Sequence, residues 1–280
     1  MKSISKIDGF SVKNTLNIKG NLIDLSNPII MGILNLTPDS FYDGNIYNNK
    51  KKALLKTEVM IEDGAKIIDV GGCSTKPGSE NVDLEEEWKR IGDIIEEIRK
   101  NFPNIIVSVD TFRSQIVKRC FDVGIDMVND VSAGEFDSKM FEVVSKLKLP
   151  YILMHNRGNS KTMMNFTNYN NLLSDMISFF VKKIEVLHSL KMKDIIIDPG
   201  FGFAKTYDQN IEILDNLDYF SILELPILVG LSRKSFVQKK FNVSLKNSLE
   251  GSLKLNKIAL KNNASILRVH DVKETKALID

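Results

Sequence analysis

Eight short apolar, β-branched runs recur along the chain, at residues 29–34, 66–70, 105–109, 127–129, 151–154, 194–197, 226–229 and 265–269. Each is followed by a stretch with helical spacing, at 51–63, 84–100, 114–123, 140–146, 169–190, 210–217, 249–261 and 272–279. Segments such as "IIIDPG" and "PYILMH" are apolar without alternation, as strands covered by helices on a parallel sheet must be. Eight such units with right-handed crossovers predict an α/β fold, a single (β/α)8 barrel whose chemistry sits at the C-terminal ends of the strands. An open doubly wound sheet is the alternative. Gly64 and Gly124 stand where helices should end, and Asp83 and Asp137 where helices should begin.

The 280 residues match one large barrel, yet the first 28 fit neither kind of unit. "TLNIKGNLIDL" alternates around Lys19-Gly20 and predicts a hairpin plugging the bottom of the barrel. The expected organisation is therefore a hairpin extension at 1–28 packed on a barrel at 29–280, without linker, internal repeat or low-complexity segment. With 43% hydrophobic residues the chain can bury a sizeable core, which excludes a disordered architecture. Its 38 Lys and Arg against 36 Asp and Glu leave a net charge of +2, so no global field favours nucleic acid or an anionic membrane. No apolar run is long enough to span a bilayer and no signal peptide precedes the first unit, which predicts a cytoplasmic protein. Cys73 and Cys120 match neither a disulfide framework nor a Cys-x-x-Cys metal spacing.

The segments that come after the strands are more informative than the strands themselves. The first run leads into Asn35-Leu36-Thr37-Pro38-Asp39-Ser40, the second into Gly71-Gly72-Cys73-Ser74-Thr75-Lys76-Pro77-Gly78, and the sixth into Asp198-Pro199-Gly200-Phe201-Gly202-Phe203. The others end in Asp110-Thr111, Asn129-Asp130, Met154-His155-Asn156-Arg157, Gly230-Leu231-Ser232-Arg233-Lys234-Ser235 and Arg268-Val269-His270-Asp271. Lys is this chain's default cation, yet four of its seven arginines (Arg113, Arg157, Arg233, Arg268) and two of its three histidines (His155, His270) fall near these ends. Guanidinium forks and imidazolium match phosphate oxygens, so the rim reads as an anion site. The third histidine, His188, falls within a long helix and reads as a surface or packing residue. Asp110 and Asp198 close strongly apolar strands. There they can bind adjacent ring N–H and amino donors, hold Mg2+, or act as an acid and base pair, and spacing alone does not separate these uses. The paired glycines suit a mobile loop over a ligand, although no GxGxxG or Walker sequence is present.

The strings "MGILNLTPDSFYDG", "DVGGCSTKPGS", "SVDT", "NDVSA", "LMHNRG", "DPGFGFAKT", "GLSRKS" and "RVHDV", in this order, resemble the dihydropteroate synthase family, pterin-binding barrel enzymes of folate biosynthesis and targets of sulfonamides. The resemblance runs from about Ile29 to the end of the chain and touches all eight strand ends. It implies a transferase condensing 6-hydroxymethyl-7,8-dihydropterin diphosphate with 4-aminobenzoate, with Mg2+ assisting loss of diphosphate, in a homodimer. Carried over by position, Asp110, Asn129, Met154, Asp198, Gly230 and Lys234 surround the pterin. Asn35, Arg268 and His270 hold the diphosphate, Asn35 also ligating the metal. Thr75, Lys76, Pro77, Phe203 and Ser235 form the aminobenzoate site. Asp110, Asp198, Lys234, Arg268 and His270 are the residues expected to carry catalysis.

The chain departs from the family in the second loop, where Cys73 replaces a common Glu and Lys76 a usual Arg, and at Ala204, where Gly is common. Lys76 keeps charge but loses the planar fork. Cys73 as a catalytic thiol lacks an adjacent His or helix N-terminus. Two rival readings stay open on sequence alone: a methyltetrahydrofolate methyltransferase serving a corrinoid protein, and a non-catalytic pterin-binding homologue.

Overall fold

A computed structural model describes residues 12–37, 46–74, 82–241 and 248–280. A hairpin, β1 (Thr15–Ile18) and β2 (Asn21–Asp24), precedes eight parallel strands: β3 (Ile29–Asn35), β4 (Ile67–Gly71), β5 (Ile106–Asp110), β6 (Met127–Asp130), β7 (Tyr151–Met154), β8 (Ile195–Asp198), β9 (Leu228–Val229) and β10 (Ile266–Val269). The sheet runs in the order β8-β7-β6-β5-β4-β3-β10-β9, and a parallel bridge from Ile197 to Ile227 joins its two edges. The expected (β/α)8 barrel, not the open sheet, is the fold. The helices are α1 (Ile46–Glu62), α2 (Leu84–Asn101), α3 (Ser114–Asp122), α4 (Met140–Leu147), α5 (Leu172–Ser189), α6 (Tyr207–Asp215), α7 (Ser235–Phe241), α8 (Leu249–Lys261) and α9 (Val272–Lys276).

Side-chain parity explains how these strands make both a core and a site. Alternate residues face the helices, among them Ile68, Val70, Val107, Val109, Leu153, Ile197 and Leu267, and they join one cluster with the helices' apolar stripes. The opposite parity faces the barrel axis. Its lowest layer takes one apolar residue from each strand: Met31, Ile67, Ile106, Met127, Ile152, Ile196, Leu228 and Ile266. Leu16, Ile18 and Leu25 of the hairpin region pack into that same layer and are almost fully buried. Each such side chain taken from water stabilises the fold by roughly 1.5–3 kcal/mol before entropy is counted.

Two residues further along, the inward positions are Ile33, Asp69, Ser108, Asn129, Met154, Asp198, Gly230 and Arg268, so the axis turns polar within one pleat. The chemistry is thereby placed at the C-terminal end of the barrel.

The hairpin turns on Lys19 and Gly20, both at positive φ (50° and 91°), as a two-residue loop between twisted strands requires. Polar ties fix it to the barrel: Lys19 Nζ lies 2.7 Å from Asp126 Oδ1, and Lys13 Nζ 2.8 Å from Asp194 Oδ1.

Gly64 and Gly124 end helices at positive φ, and Asp83 Oδ1 accepts from the Glu86 N–H at 2.8 Å to begin α2. Asp137 behaves differently from the expected N-cap. Its helix starts only at Met140, while its Oδ2 accepts from the Ser114 N–H at 2.7 Å and so caps α3 next door. The helix α7, seven residues long, lies where the sequence pattern predicts no amphipathic stretch. His188 is exposed on α5. Among the described residues, no helix is long and apolar enough to cross a membrane.

Candidate functional site

Two buried aspartates and an arginine form the centre of the barrel mouth. Arg268, on β10, donates from Nε to Asp69 Oδ2 at 2.6 Å and from a terminal nitrogen to Asp110 Oδ2 at 2.7 Å. Asn129 donates from Nδ2 to the same Asp69 oxygen at 3.0 Å. Gly71 keeps this region open: a Cβ there would stand 3.4 Å from that of Asp110 and 3.6 Å from Asn35 Oδ1, which places Asn35 beside the aspartate. Burial drives the Asp110 carboxyl up to about 7, with the nearby charges of Asp69, Glu87 and Asp130 adding to that and Arg268 opposing it. Burial disfavours charge on Arg268 as well, but Asp69 and Asp110 outweigh it and hold the guanidinium firmly protonated.

Across the mouth, Asp198 Oδ1 accepts from the Gly200 N–H at 2.7 Å, and burial raises its carboxyl against the pull of Lys234. Lys234 donates to the Phe201 carbonyl, and its Nζ lies 4.9 Å from the centre of the Phe203 ring. Burial lowers its ammonium to about 8, Asp198 opposing. The loop after β8 folds tightly enough to bring these groups together because Gly200 and Gly202 take positive φ, as does Ala204 at 48°. A Cβ on Gly200 would sit 2.1 Å from the His155 carbonyl oxygen. Lys205, buried under the loop, donates to the carbonyls of Phe203 (2.9 Å) and Gly200 (3.1 Å), with Nζ 3.0 Å from His155 Nδ1. Gly230 has open space on its inner side, the first atoms a Cβ would meet being those of Arg268 at 3.9 Å and beyond. Met154 is buried two residues above the apolar floor.

His270 sits at the rim beside Ser232, whose Oγ lies 3.1 Å from Nδ1 and accepts from the His270 N–H at 3.3 Å. Burial, with Arg268, Lys56 and Arg233 nearby, lowers its imidazolium to about 3. Burial and these cations therefore disfavour the imidazolium at this rim, and the Ser232 hydroxyl pairs with Nδ1 in either tautomer of the neutral ring.

The other rim arginines do not enter this mouth. Arg113 pairs with the fully buried Glu87 and lies over Phe112, Arg157 stacks 4.0 Å from the centre of Tyr169, and Arg233 pairs with Asp271, its guanidinium 2.5 Å from Oδ1. They hold loops in place. His155 likewise points into the loop packing, held neutral by burial and Lys205. Cys73 and Cys120 are free and buried, and burial with Glu87 pushes both thiols up, away from the reactive thiolate.

Thr75, Lys76 and Pro77 lie outside the described residues, and of Ser235 only its position at the start of α7 is described. Phe203 lines a cleft shared with Ser74, Phe112, Val131, Phe136 and Asn156 above the mouth. Among the described residues no cluster of three acidic, His or Cys side chains could hold a metal ion. Asn35 Oδ1 is a single hard oxygen of the kind Mg2+ accepts beside its own waters and substrate phosphates. Asp69 is a site residue that the sequence does not single out. Its only signal is a charge inside an apolar strand, "IIDVG".

Taken together, the mouth sets carboxylate and amide acceptors around Arg268, with Asn35 beside Asp110 and His270 at the rim. That suits a flat ring rich in N–H donors carrying an anionic group. Residues 31–270 match the family model described as "Pterin binding enzyme". The dihydropteroate synthase of Synechocystis sp. is 42% identical over 87% of this chain and 85% of its own length. A Yersinia pestis dihydropteroate synthase solved with a sulfonamide drug superposes with a TM-score of 0.89 at 37% identity, covering 95% of this chain and 96% of that one. The enzyme of Xanthomonas albilineans solved with 4-aminobenzoic acid gives 0.87 at 32% identity with the same coverage.

Proposed function

Since the chain belongs to the dihydropteroate synthases of the pterin binding enzyme family, we propose that its barrel mouth condenses 6-hydroxymethyl-7,8-dihydropterin diphosphate with 4-aminobenzoate, releasing diphosphate. In this reading Asp110, Asn129 and Asp198 accept from the ring's donors, with Met154, Gly230 and Lys234 around it. Arg268, His270 and Asn35 take the diphosphate. Thr75, Lys76, Pro77, Phe203 and Ser235 form the aminobenzoate site. The observation that supports the assignment is the gathering of carboxylate and amide groups around one fixed guanidinium: Asp69 and Asp110 both accept from Arg268, and Asn129 joins them through Asp69.

The bond from the pterin methylene carbon to the diphosphate oxygen breaks, and the electron pair leaves with the diphosphate. Positive charge grows on the methylene and negative charge on the leaving group. Arg268, already ordered by two carboxylates, stabilises the leaving group without reorganisation, and the His270 ring adds a polar contact at the rim. Deep carboxylates beside the ring favour the growing cation. The amine nitrogen of aminobenzoate then bonds to the methylene carbon and loses a proton. Mg2+, held through Asn35, would supply further charge neutralisation on the diphosphate. Cytoplasmic location, a homodimer, and division into a 1–28 extension and a 29–280 barrel complete the proposal.

Purified protein with Mg2+ and both substrates should release diphosphate only when aminobenzoate is present, with dihydropteroate formed in equal amount. Absence of synthesis by folded protein would refute the reading.

A further inference from the structure

Asp69 lies in the same inward layer as Asn129, Asp198 and Arg268, one pleat below Asp110, and is wholly buried in β4. Its Oδ2 receives both Arg268 Nε and Asn129 Nδ2. Asn129 Oδ1 and Asp69 Oδ1 are buried without a hydrogen-bond partner among the described residues. An amide can present either face, but a carboxylate only accepts, so Asn129 can turn only its nitrogen toward Asp69. The flipped amide would press oxygen against oxygen. Asn129 Oδ1 is thereby left on the side away from Asp69, where a buried acceptor without a partner is costly until a donor arrives.

We propose that Asp69 is a positioning residue that fixes the Asn129 amide with its acceptor toward the pterin ring while anchoring Arg268. The proposal rests on the pterin site assigned above. Arg268 and Asn129 meet at the same Asp69 oxygen, so ring recognition and leaving-group stabilisation share one anchor.

Asp69→Leu and Asp69→Asn together test the idea. Asp69→Leu keeps the bulk but removes the acceptor, so the Asn129 amide is free to turn. Asp69→Asn can place its amide oxygen where Oδ2 stands and still accept from both Arg268 and Asn129, which meet at that one atom. Calorimetry with a pterin analogue lacking diphosphate should show a loss of about tenfold or more for Asp69→Leu, and affinity within about threefold of the parent for Asp69→Asn.

Parental affinity in Asp69→Leu would overturn the proposal, as would an Asp69→Asn as weak as Asp69→Leu. If Asp69→Leu does not fold, Asp69→Asn decides alone: near-parental affinity supports the proposal, and a loss of about tenfold ends it. Failure of the family reading would appear separately, as a parent protein without synthesis.

Discussion

Asp198 illustrates what a single acceptor contributes at the bottom of such a well. Asp198→Asn replaces one acceptor by a donor where the ring presents donors, and pterin affinity should fall by roughly 1.5–3 kcal/mol in a folded protein. Calorimetry with a pterin analogue measures it. The acidity of its neighbours sets a pH window. Asp110, raised to about 7, is protonated below that pH and then offers a donor to a donor, so affinity is lost as pH falls. Lys234, lowered to about 8, loses its charge as pH rises. The kcat/KM for pterin diphosphate should therefore rise through about 7 and decline through about 8, and a flat profile between about pH 6 and 9 would contradict both assignments. Asp110 and Asp198 are legible in the sequence because they end strands, where motifs sit. Asp69 is not, since a residue inside an apolar run gives no sign of which partner justifies its burial. Nor can sequence reveal that three of the four rim arginines are spent on Glu87, Tyr169 and Asp271.

The loop from Asp198 to Lys205 shows the same division at the level of elements. Its glycines are readable as turn formers, but the clasp by Lys205 depends on carbonyls that only the folded loop brings together. Gly200→Ala should cost roughly 2 kcal/mol or more, because a side chain at φ +70° is strained and its Cβ meets the His155 carbonyl. Thermal denaturation gives the cost, and pterin binding should weaken with it. Strand and helix alternation is legible because parity and helical spacing act locally. Helix starts are less so: α5 begins at Leu172, after Asn171 accepts from the Ser174 N–H at 3.0 Å, although the apolar pattern begins earlier. The short α7 presents too few turns for a period to emerge.

Over the whole molecule, the apolar floor and the hairpin behave as one unit. Leu16→Ala should destabilise by about 2–5 kcal/mol while leaving kcat of the folded enzyme near parental, since the cavity opens at the end away from the chemistry. Melting curves and steady-state kinetics on the same preparation separate the two effects. The barrel class and the plugging hairpin can be foreseen because both derive from unit count and a two-residue turn. The closing bridge between Ile197 and Ile227 belongs to the same expectation, since it joins the consecutive strands β8 and β9. A shaft stoppered at its base has one doorway, so its occupants must queue. In the reading proposed above, with Asp198 and Asn129 below and Phe203 above, the pterin would take the inner berth and aminobenzoate the outer one. An aminobenzoate that arrived first would then stand in the passage its partner must use.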